Sequence, residues 1–312
     1  MLVHVRLAWS SRDPLLFLLK GQLVALTEPH NSPSIYWIMS SSARLDLRLE
    51  EPGDDALSDQ VFDILRDTLQ PGSELPLETA TQKICVLLPE GEPYSREVGT
   101  FLETCYEVAD QIPYSHPSMT KLTTLVYSTL NSVWQSQVNM TGKNAQDTPY
   151  QKLVETLRDW WNSMLDSNMK SRVSTMLTMF RAGSSPAEDP EKYVNFQTFT
   201  AHLHERGMIK GNHLAIWTLQ DALDGAKRVP QRDRNAYVKA AANWLLLNGE
   251  AVYAEVSGNT SGWKEWRGWQ DRFGEVADGK WNGRPCAYDG DAVSLAGRAF
   301  VAMDAIQRLK TG

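Results

Sequence analysis

Apolar residues recur at spacings of three and four along most of this chain, and this spacing constrains the fold more than any other feature. The first such stretch places five apolar residues on one face of a helix: Leu57, Val61, Ile64, Leu65 and Leu69. Pro71-Gly72 then ends the pattern. Alternation of apolar and polar residues, which indicates a half-buried strand, is nearly absent, and residues 45–49 are the one modest case. The sequence therefore predicts an all-α fold.

Start signals and breaks divide this pattern into roughly ten or more helices of ordinary length. Thr148-Pro149 and Asp189-Pro190-Glu191 each place a capping oxygen before a proline, which is tolerated in the first turn of a helix. A break near residues 207–211 separates two further helices. No repeat of fixed period is present, so a consensus solenoid is not supported. We predict an irregular array of antiparallel helical hairpins.

The 312 residues are predicted to form an extension and one helical domain. Residues 1–50 are the predicted extension, poorly ordered or a gene-model artefact. Residues 51–312 are the domain, with polar loops near 135–147 and 182–188. Residues 1–38 differ most from the rest, and Met39, which three serines follow, resembles the start of a soluble protein. The apolar run at 15–19 is too short to span a membrane.

Charge and cysteine content argue against several classes of protein. The formal net charge is -7 at pH 7 and the pI is about 5.5, which disfavours a nucleic-acid partner and therefore a regulator of transcription. The 3 cysteines form no C-x-x-C pair, so we predict neither a disulfide framework nor a structural zinc site. We expect a cytoplasmic protein without stable membrane insertion. The sequence leaves the oligomeric state open.

Motifs for common cofactors are missing from the sequence. It contains no glycine-rich phosphate loop, dinucleotide fingerprint, H-E-x-x-H or G-x-S-x-G, so we expect no bound cofactor. His202 and His204 form an H-x-H pair. Residues two apart on a helix point about 200° from each other, so one ion does not easily bind both imidazoles. We therefore predict no metal site.

His202 and Asp221 are the candidate catalytic residues. They lie on successive predicted helices, and if these helices face each other, the carboxylate would orient the imidazole for general acid–base catalysis. The alternative is plain helix packing, in which Asn195 bonds a neighbouring backbone group and Asp221 is exposed. Buried polar residues are usually structural partners, which favours that alternative.

Aromatic residues supply the candidate binding site. The chain has 11 tryptophans, and aromatic side chains on helices line cavities for apolar ligands. The candidate substrate-binding residues are Trp160, Tyr193, Asn195, Phe199, Trp217 and Trp244. Each of the aromatic residues alone is more typical of a helical core, where it fills gaps between helices.

Five segments in order along the chain resemble a fungal family whose domain is catalogued as being of unknown function. They are Gln-Ile-Pro-Tyr-Ser-His-Pro at 111–117, the Asn195/Phe199/Ala201/Leu203 pattern with Tyr193 in place of a usual Trp, Ala-Leu-Asp at 222–224, Ala-Ala-Ala-Asn-Trp at 240–244, and Trp-Arg-Gly-Trp-Gln-Asp-Arg-Phe at 266–273. The resemblance runs from near Asp59 almost to the carboxyl terminus. It implies a fungal, intracellular, helical protein, with some members among specialised-metabolite genes. The family supplies no agreed catalytic residues.

Two functions follow from these observations. The first is a cofactor-free tailoring enzyme or binding protein for an apolar small molecule in fungal specialised metabolism, of the cyclisation, dehydration or isomerisation type. The alternative is a non-catalytic helical module that binds another protein. The space beside Trp217 and His202 discriminates between them, because a ligand site requires a cavity of roughly 300 Å³ or more, whereas an interaction module has a filled core there.

Overall fold

The computed structural model describes residues 43–49, 55–141, 150, 153–157, 189–223, 231–258 and 260–311. The chain divides into residues 1–38 and 39–312, and every described residue belongs to the second part. Four predicted features lie outside the described residues: the extension at 1–38, the start signal Thr148-Pro149, Trp160 and the loop near 182–188. For these the predictions stand as made.

Nine helices and one short hairpin, together with a helical segment at 153–157, make up the described part of the chain. The helices are α1 (Ala56–Leu69), α2 (Leu77–Leu87), α3 (Arg96–Gln111), α4 (Ser118–Thr141), α5 (Pro190–Glu205), α6 (His213–Leu223), α7 (Gln231–Val256), α8 (Thr260–Ala277) and α9 (Gly290–Thr311). Strands β1 (Lys280–Trp281) and β2 (Arg284–Pro285) pair antiparallel. The predicted all-α class is confirmed. None of these helices is long and apolar enough to cross a membrane.

Aspartates set the starts of two helices. The Asp55 carboxylate accepts a hydrogen bond from the Leu57 N–H at 2.9 Å and so caps α1. Asp189 caps α5 in the same way, accepting from the N–H groups of Glu191 and Lys192 at 3.0 and 3.1 Å. The helix start predicted from Asp-Pro-Glu is therefore present at the first turn of α5.

Two glycines shape the turn between α5 and α6. Gly207 and Gly211 have φ values of 73° and 80°, in the left-handed region that glycine occupies without steric cost. The turn leads from α5 into α6, and both helices pack on α7. The Thr218 hydroxyl of α6 donates to the Gln197 side-chain oxygen of α5 at 3.3 Å, so one side-chain bond joins the two helices.

Helix α7 lies at the centre of the core. It packs along α5, α6 and α9, and α5 packs in turn on α3. The largest fully buried side chains are aromatic: Trp244, Trp266, Tyr106, Phe101 and Phe196. At Gly249 a Cβ atom would lie 2.8 Å from Ile306 Cδ1, so the absence of a side chain allows α7 and α9 to approach closely.

Three details differ from the sequence prediction. Helix α4, which buries Val133 and Trp134, continues to Thr141 and so into the loop predicted near 135–147. Helix α7 is longer than its apolar pattern indicated and ends at Val256. The hairpin β1–β2 was not predicted, although Asn282-Gly283 at its turn, with φ values of 52° and 71°, is a strong hairpin signal.

Residues 43–49 pack against the helices without a helix or strand of their own. Leu45 and Leu47 are buried while Arg44, Asp46 and Arg48 are exposed, so the alternation in the sequence matches one buried face. The Leu45 N–H donates to the Gln70 side-chain oxygen at 3.0 Å, and the Arg48 N–H donates to that of Gln111 at 2.8 Å. This strip, which the sequence analysis placed in the extension, packs with the helical domain.

His116 is a buried titratable residue beside this strip, with 3% of its surface exposed. Its Nδ1 accepts a hydrogen bond from the Ser118 N–H at 3.2 Å, at the start of α4. Burial lowers the pKa of the imidazole, and the nearby backbone of Ala43 offsets this only in part. Protonation at Nδ1 would also place two donors against each other, so the fold requires the neutral ring.

We expect acid to destabilise the protein through His116. Because its folded-state pKa lies below the unfolded value of about 6.5, the unfolded chain binds this proton more readily, and stability falls as the pH decreases through that value. Urea titrations across this range should show a shallower decrease in His116→Asn, which keeps an acceptor for Ser118. The control is His202→Asn, a partly buried histidine beside Glu205. An equal pH slope in wild type and His116→Asn would contradict the prediction.

Candidate functional site

The structure does not bring His202 and Asp221 together. His202 Nδ1 lies 3.3 Å from the Glu205 carboxylate, one turn further along α5. Asp221 lies in the last turn of α6, where its charge acts on Tyr193 and Tyr237. Tyr193 precedes His202 by nine residues, or about 13.5 Å along a helix. The acid–base hypothesis required the Asp221 carboxylate to contact and orient the His202 imidazole, and the structure does not show this contact.

Tyr193 of α5 and Tyr237 of α7 form an edge-to-face pair near Asp221, with ring centroids 5.3 Å apart. Burial, followed by the neighbouring Tyr237 and the charge of Asp221, raises the pKa of Tyr193. Burial, followed by the charges of Asp221 and Asp233, raises the pKa of Tyr237 to about 12. Both phenols are therefore neutral near pH 7 and act as hydrogen-bonding and packing groups.

The two histidines of the H-x-H pair have different neighbours. His204 Nδ1 lies 2.8 Å from the Asn248 side-chain oxygen, and its Nε2 lies 3.1 Å from the carbonyl oxygen of Gly211. His202 instead lies beside Glu205. His204 thus ties the α5–α6 turn to α7, which is an architectural role.

Asn195 joins three parts of the chain. Its side-chain oxygen accepts from the Tyr114 N–H at 2.8 Å, and its amide nitrogen donates to the Asp110 carbonyl oxygen at 2.8 Å. Asn195 is buried, so these bonds satisfy backbone groups where α3 ends and the loop to α4 begins. The structure therefore gives Asn195 the structural partners that the alternative reading expected.

The predicted aromatic binding residues pack mainly into the core. Phe199 is fully buried with its ring edge-on to Tyr106, 6.1 Å between centroids. Trp244 is fully buried, and its indole N–H donates to the Gln197 side-chain oxygen at 2.9 Å. Trp217 is partly buried and packs edge-on to His213 at 5.2 Å. Trp160 lies outside the described residues.

A buried polar network, which the sequence pattern did not predict, runs along α5 and α7. Gln197 accepts from both Trp244 and Thr218, and Thr198 accepts from the Asn243 amide at 2.8 Å. The signal in the sequence was the composition of α5, which carries polar residues on every face. In the structure ten residues of this helix are buried. A helix buried on all sides needs partners for such groups.

A cleft of about 720 Å³ lies beside Asn195. Its walls come from four places: the loop at 113–115, the first turns of α5, the first turns of α7, and the residues around the start of α9. Tyr114, Asn195 and Lys239 line it together with four carboxylates. Asn195 is a predicted site residue that lines this cleft. His202, Asp221, Trp217 and Trp244 do not line it.

Two helix starts supply the four carboxylates. Asp189 and Glu191 come from α5, and Asp289 and Asp291 come from α9. In each pair the first aspartate is a cap, since Asp189 accepts from the start of α5 and Asp289 accepts from the Ala292 N–H at 2.7 Å. The second acid of each pair, Glu191 or Asp291, is exposed. The sequence signal was the pattern Asp-x-acid at both helix starts.

Lys239 is the basic side chain of the cleft lining. Its ammonium group lies 2.8 Å from the Asp289 carboxylate, and only 18% of its side chain is exposed. On the loop at 113–115, the Tyr114 side chain lies near Asp291. Burial, and then the charge of Asp291, raises the pKa of this phenol, so it remains a donor. The cleft thus presents fixed donors and acceptors on opposite walls.

Comparison with known proteins places more than half of the chain in one family model. A model described as "Protein of unknown function (DUF3632)" matches residues 103–287. The match is shorter than the resemblance expected from the sequence, which began near Asp59. It includes Tyr114, Asn195 and Lys239 and ends two residues before Asp289. No curated protein and no solved structure matches the chain.

Proposed function

The chain belongs to the DUF3632 family of proteins of unknown function, and on the geometry of the cleft we propose that it binds a small organic molecule there, as a binding protein or as a cofactor-free tailoring enzyme. One observation carries the proposal: a 720 Å³ cleft in which Tyr114, Asn195 and Lys239 converge. Ligand sites are usually concavities of about 300–1,000 Å³ with a few placed polar groups, and this cleft fits that description.

The sequence resemblance bears on the organism, the metabolic role and the location of the protein. On the resemblance to a fungal family, we propose a fungal protein that acts in the cytoplasm, in specialised metabolism. The ligand expected from the tryptophan-rich helices was apolar, but the polar lining of the cleft favours a ligand with polar groups. Trp244 and Phe199 are fully buried in the core, so neither side chain is available to contact a ligand.

Polar side chains that line the cleft are held in place before a ligand binds. Asn195 is held by two hydrogen bonds to backbone groups, so its side chain is fixed before any ligand arrives. Lys239 is held by the Asp289 carboxylate at 2.8 Å, and Tyr114 lies near the Asp291 carboxylate. Such pre-organisation lowers the entropy cost of binding, and it is the arrangement that a recognition site requires.

We expect Ser115→Trp to abolish binding in the cleft. Ser115 lines the cleft from the loop between α3 and α4 and is partly exposed, so an indole at this position fills the space without entering the core. The measurement is a fragment screen by ligand-observed NMR, with wild type and variant side by side. Fragments that bind wild type should lose binding in Ser115→Trp by about tenfold or more.

The matched control is Ser132→Trp, which adds the same side chain on the exposed face of α4. It should bind the fragments as wild type does, and both variants should keep the wild-type melting temperature. Equal fragment binding in wild type and Ser115→Trp would refute the cleft as the ligand site. A wild-type protein that binds no fragment would favour the helical interaction module instead.

A further inference from the structure

The strip of residues 43–49 is held by two glutamine side chains. The Gln70 side-chain oxygen accepts from the Leu45 N–H at 3.0 Å, and its amide nitrogen donates to the Leu45 carbonyl oxygen at 3.1 Å. Gln111 repeats this arrangement at Arg48, where it accepts from the N–H at 2.8 Å and donates to the carbonyl oxygen at 2.7 Å. Each glutamine therefore pairs with both backbone groups of one strip residue, as a neighbouring strand does in an antiparallel sheet.

These four bonds contact backbone atoms of the strip, so they do not depend on the side chains at those positions. The leucines supply the selective contacts. Leu45 and Leu47 are 8% and 6% exposed and belong to the main hydrophobic core. The residues beside them, Arg44, Asp46 and Arg48, are exposed. Backbone hydrogen bonds combined with apolar contacts to alternate side chains are a general mode of peptide recognition.

Helix ends form the surface under the strip. Gln70 follows α1 and Gln111 is the last residue of α3, and these two helices pack on each other. Among the described residues, no backbone-to-backbone hydrogen bond joins the strip to a helix, so its departure breaks no bond of the helical backbone. Segments held in this way open locally while the rest of a domain stays folded. The strip is thus bound to this surface as a tethered ligand would be.

We propose that the ends of α1 and α3 form a peptide-binding site, that residues 43–49 occupy it as an intramolecular ligand, and that the strip of a second copy of this chain takes the same place when the site is open. A second copy is the partner because it carries the segment that the structure shows in this site. Exchange of an identical segment between copies is a low-cost route to dimers. The inference does not rest on the proposed function, since it concerns a different surface, which shares Gln111 with the cleft.

The first test supplies the strip as a free peptide. The full chain carries Leu45→Asp and Leu47→Asp, which disrupt the apolar contacts and so open the site, and a fluorescent peptide of residues 43–49 is titrated by anisotropy. In wild type the tethered strip competes at an effective concentration on the order of millimolar. The peptide should therefore bind the opened chain at least about tenfold more tightly than wild type. A peptide of the same composition, with its leucines adjacent to each other, should bind neither chain.

A variant of the site tests the glutamine contacts. In the opened chain, Gln70→Glu should weaken peptide binding by about tenfold, since it replaces the amide donor by an oxygen that faces the carbonyl oxygen of the peptide. Gln60→Glu is the matched control, because Gln60 is exposed on the same helix and its substitution adds the same charge. It should leave peptide binding as it is in the opened chain.

The second test mixes two full chains. The opened chain keeps the site but lacks a fitting strip, whereas a chain with Gln70→Glu and Gln111→Glu keeps the strip but has an impaired site. Sedimentation velocity should show a dimer in the mixture that neither chain forms by itself. Peptide binding without this dimer would refute the second copy as the partner.

Three results would overturn the peptide-binding site. The first is an opened chain that keeps its helical circular dichroism but binds no peptide, and the second is an opened chain that unfolds, because the strip is then part of the cooperative core. The third is an equal loss of peptide binding in Gln60→Glu and Gln70→Glu, which would be an effect of net charge. Hydrogen exchange of wild type gives an independent check, since the Leu45 amide should exchange faster than amides within α1. Exchange at the same rate would show that the strip does not open by itself.

Discussion

Trp244→Ala should destabilise the protein by about 3 to 5 kcal/mol, a cost typical of removing a fully buried tryptophan. Trp244 has 0% of its surface exposed and lies on α7, the central helix of the core. The variant also removes the indole N–H that donates to Gln197, so a buried amide oxygen loses its stronger partner. Because domains of ordinary stability unfold with about 5 to 15 kcal/mol, this is a large fraction of the total.

Urea denaturation of wild type, Trp244→Ala and Trp244→Phe measures this effect. The phenylalanine variant keeps most of the volume but lacks the donor, so it should lose less than the alanine variant. Trp217→Ala is the control, since Trp217 is only partly buried and should cost roughly half as much or less. A loss below about 1 kcal/mol in Trp244→Ala would mean that the packing of α5 on α7 is wrong.

Asn195→Ala should cost about 2 to 4 kcal/mol, because it leaves two buried backbone groups without their partner. These are the Tyr114 N–H and the Asp110 carbonyl oxygen, each 2.8 Å from the Asn195 side chain. The loss should also be local. Since the Tyr114 amide gives up its acceptor, its hydrogen exchange should accelerate more than that of amides within α7.

Denaturation and amide hydrogen exchange of Asn195→Ala measure both effects. Asn131→Ala is the matched control, because Asn131 accepts a bond from the part-buried hydroxyl of Tyr150 and its loss should cost below about 1 kcal/mol. Unchanged protection of the Tyr114 amide in Asn195→Ala would show that Asn195 does not hold the loop, and the cleft wall would then lack its anchor.

Much of the fold could be predicted from the sequence because helices have local signals, namely the spacing of apolar residues and the residues that cap their first turns. The period of apolar residues gave α1, and the Asp-Pro-Glu signal gave the start of α5. Helix ends were less predictable. Helix α7 continues to Val256 since packing on α9, which no local pattern encodes, stabilises its last turns. The turn Asn282-Gly283 was available in the sequence and was overlooked.

The site was harder to predict because it depends on which helix ends meet. His202 and Asp221 were placed together on the assumption that successive helices align those residues, but the turn at 207–211 sets a register that separates them. The cleft joins residues that are far apart in the chain, such as Tyr114, Lys239 and Asp291. The spacing of residues along one helix does not indicate which distant residues will line the same cleft. Asn195 alone among the predicted residues lies at both a structural joint and the cleft.

The central claim is that the cleft bounded by Tyr114, Asn195 and Lys239 is the ligand site. The most direct measurement is a crystal structure of the protein soaked with the fragments that bind it in solution. The account predicts fragment density inside this cleft, in contact with Tyr114. Fragments that bind reproducibly at another place on the protein, with the cleft left empty, would contradict it.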